Sequence, residues 1–154
     1  MIRYANKNDV DKIAYLYEDL DKVHRDNVTR MFKLVTINDR RNTILTDIDQ
    51  ENVRYIVADF DGEIKGFAKL LIKTVPDNHP VLLPQTIVHI EEMAVCEKRK
   101  GFGKKLIKYI EEEITKEFGA KIVTLQVMDF NNEAKKFYSE VGFETMFYGM
   151  RKTF

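Results

Sequence analysis

The sequence lacks the features that cross-link a chain or anchor it in a membrane. Its single cysteine, Cys96, excludes an intrachain disulfide framework and suits a reducing compartment. At a predicted strand end we expect Cys96 to be a small buried residue rather than a reactive thiol. No apolar run approaches transmembrane length, and the first residues are too polar for a secretory signal. We therefore expect a soluble, cytoplasmic protein with no membrane partner.

The sequence also lacks an excess of charge of either sign. Lys and Arg number 25 and Asp and Glu number 25, so the formal net charge is zero and a general nucleic-acid binder is disfavoured. With 154 residues, of which 44% are hydrophobic, the chain is long enough to bury a core of its own. No repeat, low-complexity tract or linker divides it. We expect a single domain over residues 1–154.

Hydrophobic periodicity and turn residues predict a mixed α/β protein. All three prolines lie between Pro76 and Pro84 and mark a loop, whereas Asp61-Gly62 marks a hairpin turn. Helices are predicted from Asn8 or Asp9 to Val23, over 27–35, 39–47 and 101–118, and from Asn131 or Asn132 to Val141. Strands are predicted over 2–5, 53–60, 64–75, 86–95, 121–127, 143–145 and 147–151.

The most informative segment is a basic turn, residues 98–105, between a strand and a helix. Gly101 and Gly103 lack a Cβ, so the backbone can turn sharply and approach an anion closely. The N–H groups of the first helical turn and the helix dipole favour a phosphate there. The spacing fits neither a Walker loop nor a dinucleotide fingerprint, in which Leu106 would have to be glycine. A nucleic-acid or localisation patch and a merely solvated helix start are the other interpretations.

Three segments together resemble the GCN5-related N-acetyltransferase (GNAT) superfamily over nearly the whole chain. The first is the acyl-CoA turn, usually Arg/Gln-x-x-Gly-x-Gly/Ala, with Lys98-Arg99-Lys100-Gly101-Phe102-Gly103 here. The second is Asn131-x-x-Ala134-x-x-Phe137-Tyr138-x-x-x-Gly142-Phe143, which is similar to the family's C-terminal signature. The third is Ile2-Arg3-Tyr4-Ala5 followed by Asp9-Val10 and an amphipathic helix. The one departure is Lys98, where the family has Arg or Gln.

The resemblance implies both the fold and the reaction. The fold is α/β with a central mixed, mostly antiparallel six- to seven-stranded sheet, flanked by about four helices and splayed between strands 4 and 5. The reaction is direct transfer of an acetyl group from acetyl-CoA to a primary amine, with no covalent acyl-enzyme and no metal. The implied partners are acetyl-CoA and an amine acceptor, and a homodimer is compatible with the family. A non-catalytic module that binds and senses acyl-CoA is the alternative.

The resemblance also implies which residues bind acetyl-CoA. Its pyrophosphate would be held by the backbone of Lys98, Arg99, Lys100, Gly101, Phe102, Gly103 and Lys104. Its pantetheine arm would pair with the backbone of Met93, Ala94 and Val95, like an added strand. Asn131 matches the family asparagine that contacts this arm, although Asn131 or Asn132 could instead cap the helix.

The catalytic candidates are Tyr138, Glu91 and Glu92. Tyr138 matches the family tyrosine that protonates the departing thiolate, although a core aromatic is the alternative. An amine is mostly ammonium at pH 7, so a base must remove a proton. Since adjacent strand residues point to opposite faces, we expect only one glutamate to face the cleft, and the family favours Glu91. His89 could relay the proton instead. The alternative for Glu91 is a carboxylate that is merely exposed at a strand edge and has no catalytic role.

The amine acceptor is expected near residues 17–33, 76–84 and 147–149, by analogy with the family. Acidic Glu18, Asp19 and Asp21 could attract a cationic amine, although a charged helix face is usually only solvated. His24 resembles a family histidine at the end of the first helix, and no role for it follows from the sequence.

Overall fold

Five strands form one sheet in the order in which they occur along the chain. The computed structural model describes residues 1–154. Pairing is antiparallel from β1 through β4, whereas β4 and β5 are parallel. The strands are β1 (Ile2–Tyr4), β2 (Val53–Phe60), β3 (Glu63–Val75), β4 (Gln85–Val95) and β5 (Ile122–Leu125).

Helices cover both faces of this sheet. A 3-10 turn (Lys7–Asp9) leads into the first helix, and the third helix continues through a π-helical segment (Ile110–Ile114) into α4. The second helix begins at a capping box, in which Thr36 and Asp39 satisfy each other's backbone amides. The helices are α1 (Val10–Asn27), α2 (Ile37–Asp47), α3 (Phe102–Tyr109), α4 (Thr115–Glu117) and α5 (Asn132–Glu140).

The sheet separates two hydrophobic cores. One lies under α1 and α2, the other under α3 and the π-helical segment. The alternation of β2 produces this division, because Ile56 packs in the α3 core and Val57 in the α1–α2 core. The α1–α2 core includes Ile13, Tyr17, Ile44, Val57 and Phe67, and the α3 core includes Ile56, Leu70, Val88, Leu106 and Ile110. None of the helices combines the length and apolar character needed to cross a bilayer.

Most of the predicted elements are confirmed. The hairpin turn has φ of 57° at Asp61 and 77° at Gly62, the left-handed pair that a two-residue hairpin favours. The helix predicted over 39–47 exists and begins two residues earlier. The strand predicted over 121–127 is shorter, Ile122–Leu125.

The helix predicted over 27–35 is wrong. The first helix ends at Asn27, because Val28 is extended and Arg30 adopts a left-handed φ of 61°. Apolar residues at Met31 and Leu34 suggested a buried face, but both side chains are exposed. Helical spacing without a surface to pack against does not hold a helix.

The predicted strand count is also wrong, although the fold class is confirmed. The sheet has five strands rather than six or seven, since residues 143–145 and 147–151 pair with no strand. Their β-forming side chains remain exposed, for example Tyr148 at 87%. A strand needs a partner for its backbone, and sequence propensity does not supply one.

Candidate active site

The site is built around an opening between β4 and β5. The two strands pair only from Ile87–Ile122 to Ile90–Leu125. Beyond this point β5 ends, while β4 continues to Val95 with β3 as its only neighbour. One edge of residues 91–95 is therefore free of a strand partner, as the splayed sheet of the sequence prediction requires. Met93, Ala94 and Val95 all lie on this edge.

The turn after β4 presents a row of unbonded amides. Arg99 and Gly101 have φ of 63° and 82°, so the chain turns sharply before α3 begins at Phe102. The first helical hydrogen bond runs from the Lys105 amide to the Gly101 carbonyl, at 3.0 Å. The seven amides from Lys98 to Lys104 donate no hydrogen bond within the chain. They are available to an anion.

Close contact with α5 fixes the position of this turn. A Cβ on Gly103 would lie 3.0 Å from Cζ of Phe137, so only glycine lets the first turn of α3 approach α5 without displacement. Lys98 Nζ lies 2.6 Å from a carboxylate oxygen of Glu133 on the same helix. Lys98, the departure from the family motif, therefore pairs with a protein carboxylate.

Asn131 caps α5, whereas Asn132 does not. The Asn131 side-chain oxygen accepts a 3.0 Å hydrogen bond from the Ala134 amide. The amide nitrogen of the same side chain makes no hydrogen bond within the chain. Capping therefore leaves this donor free, and the two roles predicted for Asn131 are compatible.

Tyr138 lies on α5 in an aromatic cluster on the α3 side of the sheet. Its ring centroid is 5.2 Å from that of Phe137 and 5.7 Å from that of Phe143. Burial raises the pKa of Tyr138 to about 12. The hydroxyl has no hydrogen-bond partner in the chain. The protein contains no fully buried side-chain oxygen or nitrogen without such a partner, so the Tyr138 hydroxyl must be reached by solvent. It is a protonated donor without a partner.

A β-bulge overturns the expectation that Glu91 and Glu92 face opposite sides. Glu92 pairs with Lys69, whereas Ile90 pairs with Leu70, so Glu91 is the extra residue of β4. Glu92 contacts Tyr17 in the α1–α2 core. Glu91 lies 3.5 Å from His89, whose strand partner Leu71 packs against the same core. Both carboxylates therefore lie on the α1–α2 side.

Glu92 is occupied by a polar cluster within the protein. It accepts a hydrogen bond from the hydroxyl of the fully buried Tyr17 and lies 3.3 Å from Arg40. The guanidinium of Arg40 stacks 4.0 Å above the Tyr17 ring and bonds Asp21 through two nitrogens. Burial, reinforced by the charge of Glu92, raises the pKa of Tyr17 well above its ordinary value. Glu92 therefore has the surroundings of a structural residue rather than a free base.

Glu91 is more accessible and neighbours a histidine. Its side chain is 42% exposed, against 22% for Glu92. Nε2 of His89 lies 3.5 Å from the Glu91 carboxylate, and Nδ1 lies 2.8 Å from the Thr124 hydroxyl on β5. Burial, and secondarily the charge of Lys73, lowers the pKa of His89, so its ring is neutral at pH 7. These three residues form a chain of polar groups at the mouth of the opening.

The predicted acceptor regions are only partly brought together. A cleft of about 410 Å³ between α1 and α2 is lined by Glu18, Asp21 and Arg40 among others. Asp21 is neutralised by Arg40 and so differs from the free anion that the sequence suggested, whereas Glu18 and Asp19 are exposed. Residues 147–149 are exposed in the C-terminal segment, and Val81 and Leu83 are exposed in the loop over 76–84.

His24 links the end of α1 to the loop that follows β5. Its Nδ1–H donates to the Leu20 carbonyl at 2.8 Å. Its ring packs edge-on against Phe32 and Phe130, with centroids 5.4 and 5.9 Å away. The residue thus has a packing role beside the opening.

Sequence reasoning missed Tyr17, Arg40 and Thr124. Only Tyr17 carried a signal, a hydroxyl within an otherwise apolar helix stripe. Cys96 also differs from expectation, because it is exposed at the start of the turn. No three His, Cys, Asp or Glu side chains come together in a way that could hold a metal ion.

This fold and this motif order define an acetyltransferase-type protein. The model of the acetyltransferase (GNAT) family matches residues 11–143, which is most of the chain, and the chain belongs to that family. The match includes the turn before α3 and the Tyr138 signature.

Individual relatives agree with this assignment. A 5-NmdU N-acetyltransferase of Pseudomonas phage PaMx11 is 36% identical over 87 residues, which cover 56% of this chain and about half (54%) of that relative. A crystal structure of a mutant BH1408 protein from Bacillus halodurans superposes with a TM-score of 0.91 at 21% identity, over 100% of this chain and 99% of that one. The structure of aminoglycoside N-acetyltransferase AAC(6')-Iy in complex with CoA superposes with a TM-score of 0.72 at 21% identity, over 99% of this chain and 95% of that one. At these identities, the structural likenesses show the fold.

Proposed function

We propose that this protein transfers an acetyl group from acetyl-CoA to a primary amine of a small molecule or a protein, by direct attack while both substrates are bound. The observation that carries the proposal is the row of unbonded amides from Lys98 to Lys104 beside the free edge of β4. Membership of the acetyltransferase family supports the same class of reaction.

The turn suits the pyrophosphate of acetyl-CoA. Seven amides with no internal partner can donate to its oxygens, and the start of α3 adds the positive end of a helix dipole. Arg99 and Lys100 supply positive charge around the same point, whereas the charge of Lys98 is offset by Glu133. The free edge of residues 93–95 offers peptide groups to the amide-containing pantetheine arm, in the manner of strand addition.

Glu91 is the proposed base. It is the more exposed of the two carboxylates, and only the neutral His89 lies beside it. A proton taken from the ammonium can reach Glu91 directly or through His89. The neutral amine then attacks the thioester carbonyl. Glu92 holds Tyr17 and Arg40 instead, which fixes the bulge that presents Glu91.

Tyr138 is the proposed acid. Collapse of the tetrahedral adduct breaks the bond between the carbonyl carbon and sulfur and releases a thiolate. With a pKa of about 12, the phenol is protonated at neutral pH and can give its proton to that sulfur. Its lack of a partner within the chain leaves it free to do so.

The amine acceptor is the open part of the proposal. The α1–α2 cleft lies beside Arg40, whose guanidinium contacts Glu92, so an acceptor entering from this side would approach the two carboxylates. The named relatives act on 5-NmdU and on aminoglycosides, so both classes belong in an acceptor screen. Polyamines, amino acids and peptide N-termini complete it.

Two measurements test the function. Saturating acetyl-CoA should raise the melting temperature, because a ligand of the native state shifts unfolding by mass action. Incubation with each amine should release the CoA thiol, measured with a thiol reagent in a Cys96→Ser background because Cys96 itself is exposed. Glu91→Gln is the matched control, which should bind acetyl-CoA but release little thiol.

The outcomes separate the hypotheses. Stabilisation with thiol release supports the acetyltransferase. Stabilisation without release for any amine would favour the non-catalytic acyl-CoA-binding module. If acetyl-CoA causes no stabilisation, the assignment of the turn is wrong.

A further inference from the structure

The hydrogen bond between His89 and Thr124 has a direction that its surroundings determine. The two residues lie opposite each other in the parallel β4–β5 ladder, and Nδ1 of His89 is 2.8 Å from the Thr124 hydroxyl oxygen. Either group could be the donor, because a neutral imidazole carries its proton on one nitrogen and accepts at the other. The direction of the bond decides which ring nitrogen is free to receive a proton.

Two observations make Thr124 the donor. Nε2 of His89 lies 3.5 Å from a carboxylate oxygen of Glu91, and a ring protonated only at Nδ1 would point the lone pair of Nε2 at this anion. The Thr124 hydroxyl makes no other hydrogen bond in the chain, so donation to Nδ1 uses a proton that would otherwise have no acceptor within the protein. The neutral ring therefore carries its proton on Nε2, toward Glu91.

The surroundings of the ring also keep it neutral. The His89 side chain is only 11% exposed, and Lys73 and Glu91 are the charged groups that act on it. Burial and then the charge of Lys73 lower the pKa of His89, and the opposing effect of Glu91 is smaller. At pH 7 the ring therefore accepts a proton at Nδ1 and donates one from Nε2.

We propose that Thr124 is the entrance of a proton relay, which runs from its hydroxyl through His89 to Glu91 and carries the proton of the acceptor ammonium. This inference rests on the proposed function, with Glu91 as the base. Thr124 is half-buried and is the last but one residue of β5, so its hydroxyl lies where β4 and β5 begin to separate. The relay thus starts at the opening and ends at the more exposed carboxylate.

Each step of the relay breaks one bond to hydrogen and forms another. The N–H bond of the ammonium breaks as its proton joins the Thr124 oxygen, whose own proton passes to Nδ1 of His89. The Nε2–H bond then breaks as the Glu91 carboxylate takes that proton. The 3.5 Å separation is no obstacle, since catalytic hydrogen bonds are often long before substrate binds.

The relay returns to its starting state through water. Glu91, whose side chain is 42% exposed, gives its proton to water. The ring of His89 takes a proton from water at Nε2 and returns its Nδ1 proton through the Thr124 hydroxyl. Each turnover therefore ends with an ionised Glu91 and with the ring protonated at Nε2.

The protonation of each ring nitrogen tests the direction of the bond. Nitrogen-15 spectra of the free protein, at a pH above the titration of His89, should show Nε2 protonated and Nδ1 unprotonated. Thr124→Ser keeps the hydroxyl and should keep this pattern. Thr124→Val keeps the branched shape without the donor and should move the Nδ1 resonance toward that of a free acceptor. A native ring with its proton on Nδ1 would overturn the proposal.

Turnover tests the relay itself. Thr124→Val should lower turnover by roughly 10²-fold, the lower end of general acid–base effects, with unchanged affinity for acetyl-CoA. Thr124→Ser should retain most of the native rate, which a purely steric role for the side chain would not predict. Thr86→Val, which lies on β4 before its first pair with β5, is the matched control and should keep the native rate.

The failure of the relay and the failure of the proposed function give different results. Native turnover in Thr124→Val would refute the relay alone. If the native chain releases no thiol with any amine, the proposed function is wrong and the relay falls with it.

Discussion

Nδ1 of His89 on β4 lies 2.8 Å from the hydroxyl of Thr124 on β5, one residue before the two strands separate. This bond spans the last closed part of the sheet and fixes the ring whose other nitrogen lies 3.5 Å from Glu91. The orientation of His89, the proposed proton relay, is therefore set by β5, although the proposed base Glu91 lies on β4.

The first prediction concerns pH. Burial and then the charge of Lys73 lower the pKa of His89, so the relay is neutral until the pH falls below the ordinary histidine range. Between the ordinary histidine pKa of the unfolded chain and the lowered pKa of folded His89, the folded protein binds fewer protons than the unfolded chain. The free energy of unfolding therefore falls as the pH drops through this window. Lys73→Met should move the His89 titration, followed by NMR, to higher pH. Lys65→Met, which is not among the causes of the His89 shift, is the control and should leave that titration unchanged.

The second prediction separates the two glutamates. Glu91→Gln should lower turnover and change the acidic limb of the pH–rate profile, with little effect on the melting temperature. Glu92→Gln should destabilise the fold by about 1–3 kcal/mol, because Arg40 loses a charged partner in a partly buried cluster. Urea unfolding and steady-state kinetics on both variants measure the contrast. If Glu92→Gln alone changes the acidic limb, Glu92 is the base.

The third prediction concerns Tyr138. Its phenol has no partner in the chain, so Tyr138→Phe removes a donor without leaving a buried group unsatisfied. Turnover should fall by roughly 10²-fold, the lower end of general-acid effects, with little change in the affinity for acetyl-CoA. Tyr109→Phe, another half-buried tyrosine beside the same core, should retain the native rate. An unchanged rate in Tyr138→Phe would exclude it as the acid.

The fourth prediction tests the contact between α3 and α5. Gly103→Ala places a Cβ 3.0 Å from Cζ of Phe137, so the Phe137 ring must move away from the turn by a few tenths of an ångström. We expect overpacking to cost about 1–3 kcal/mol and acetyl-CoA to bind more weakly. Gly149→Ala, where a Cβ would meet nothing within 4 Å, should affect neither. Thermal unfolding and acetyl-CoA titration of both variants provide the measurements, and equal behaviour would show that this close approach is unimportant.

Much of the candidate site could be predicted from the sequence, because its residues lie close together in the chain. Gly101 and Gly103 fall at a strand–helix junction, and Asn131 caps the short helix that carries Tyr138, so spacing alone places them. The cluster of Tyr17, Arg40 and Glu92 could not be predicted from the sequence. Its members come from α1, α2 and β4, and no local pattern tells which distant charges will meet.

The sequence by itself determined the order of the main strands and helices, the glycine turn and the acetyltransferase family, because each depends on residues close together in the chain. The tertiary structure decided what depends on pairing between distant segments. The bulge at Glu91 places both carboxylates on the α1–α2 side of the sheet, and Arg40 forms an ion pair with Glu92. Residues 143–154 have no strand partner. Strand register and the charge around a buried group arise only when remote segments pack together, so no single segment encodes them.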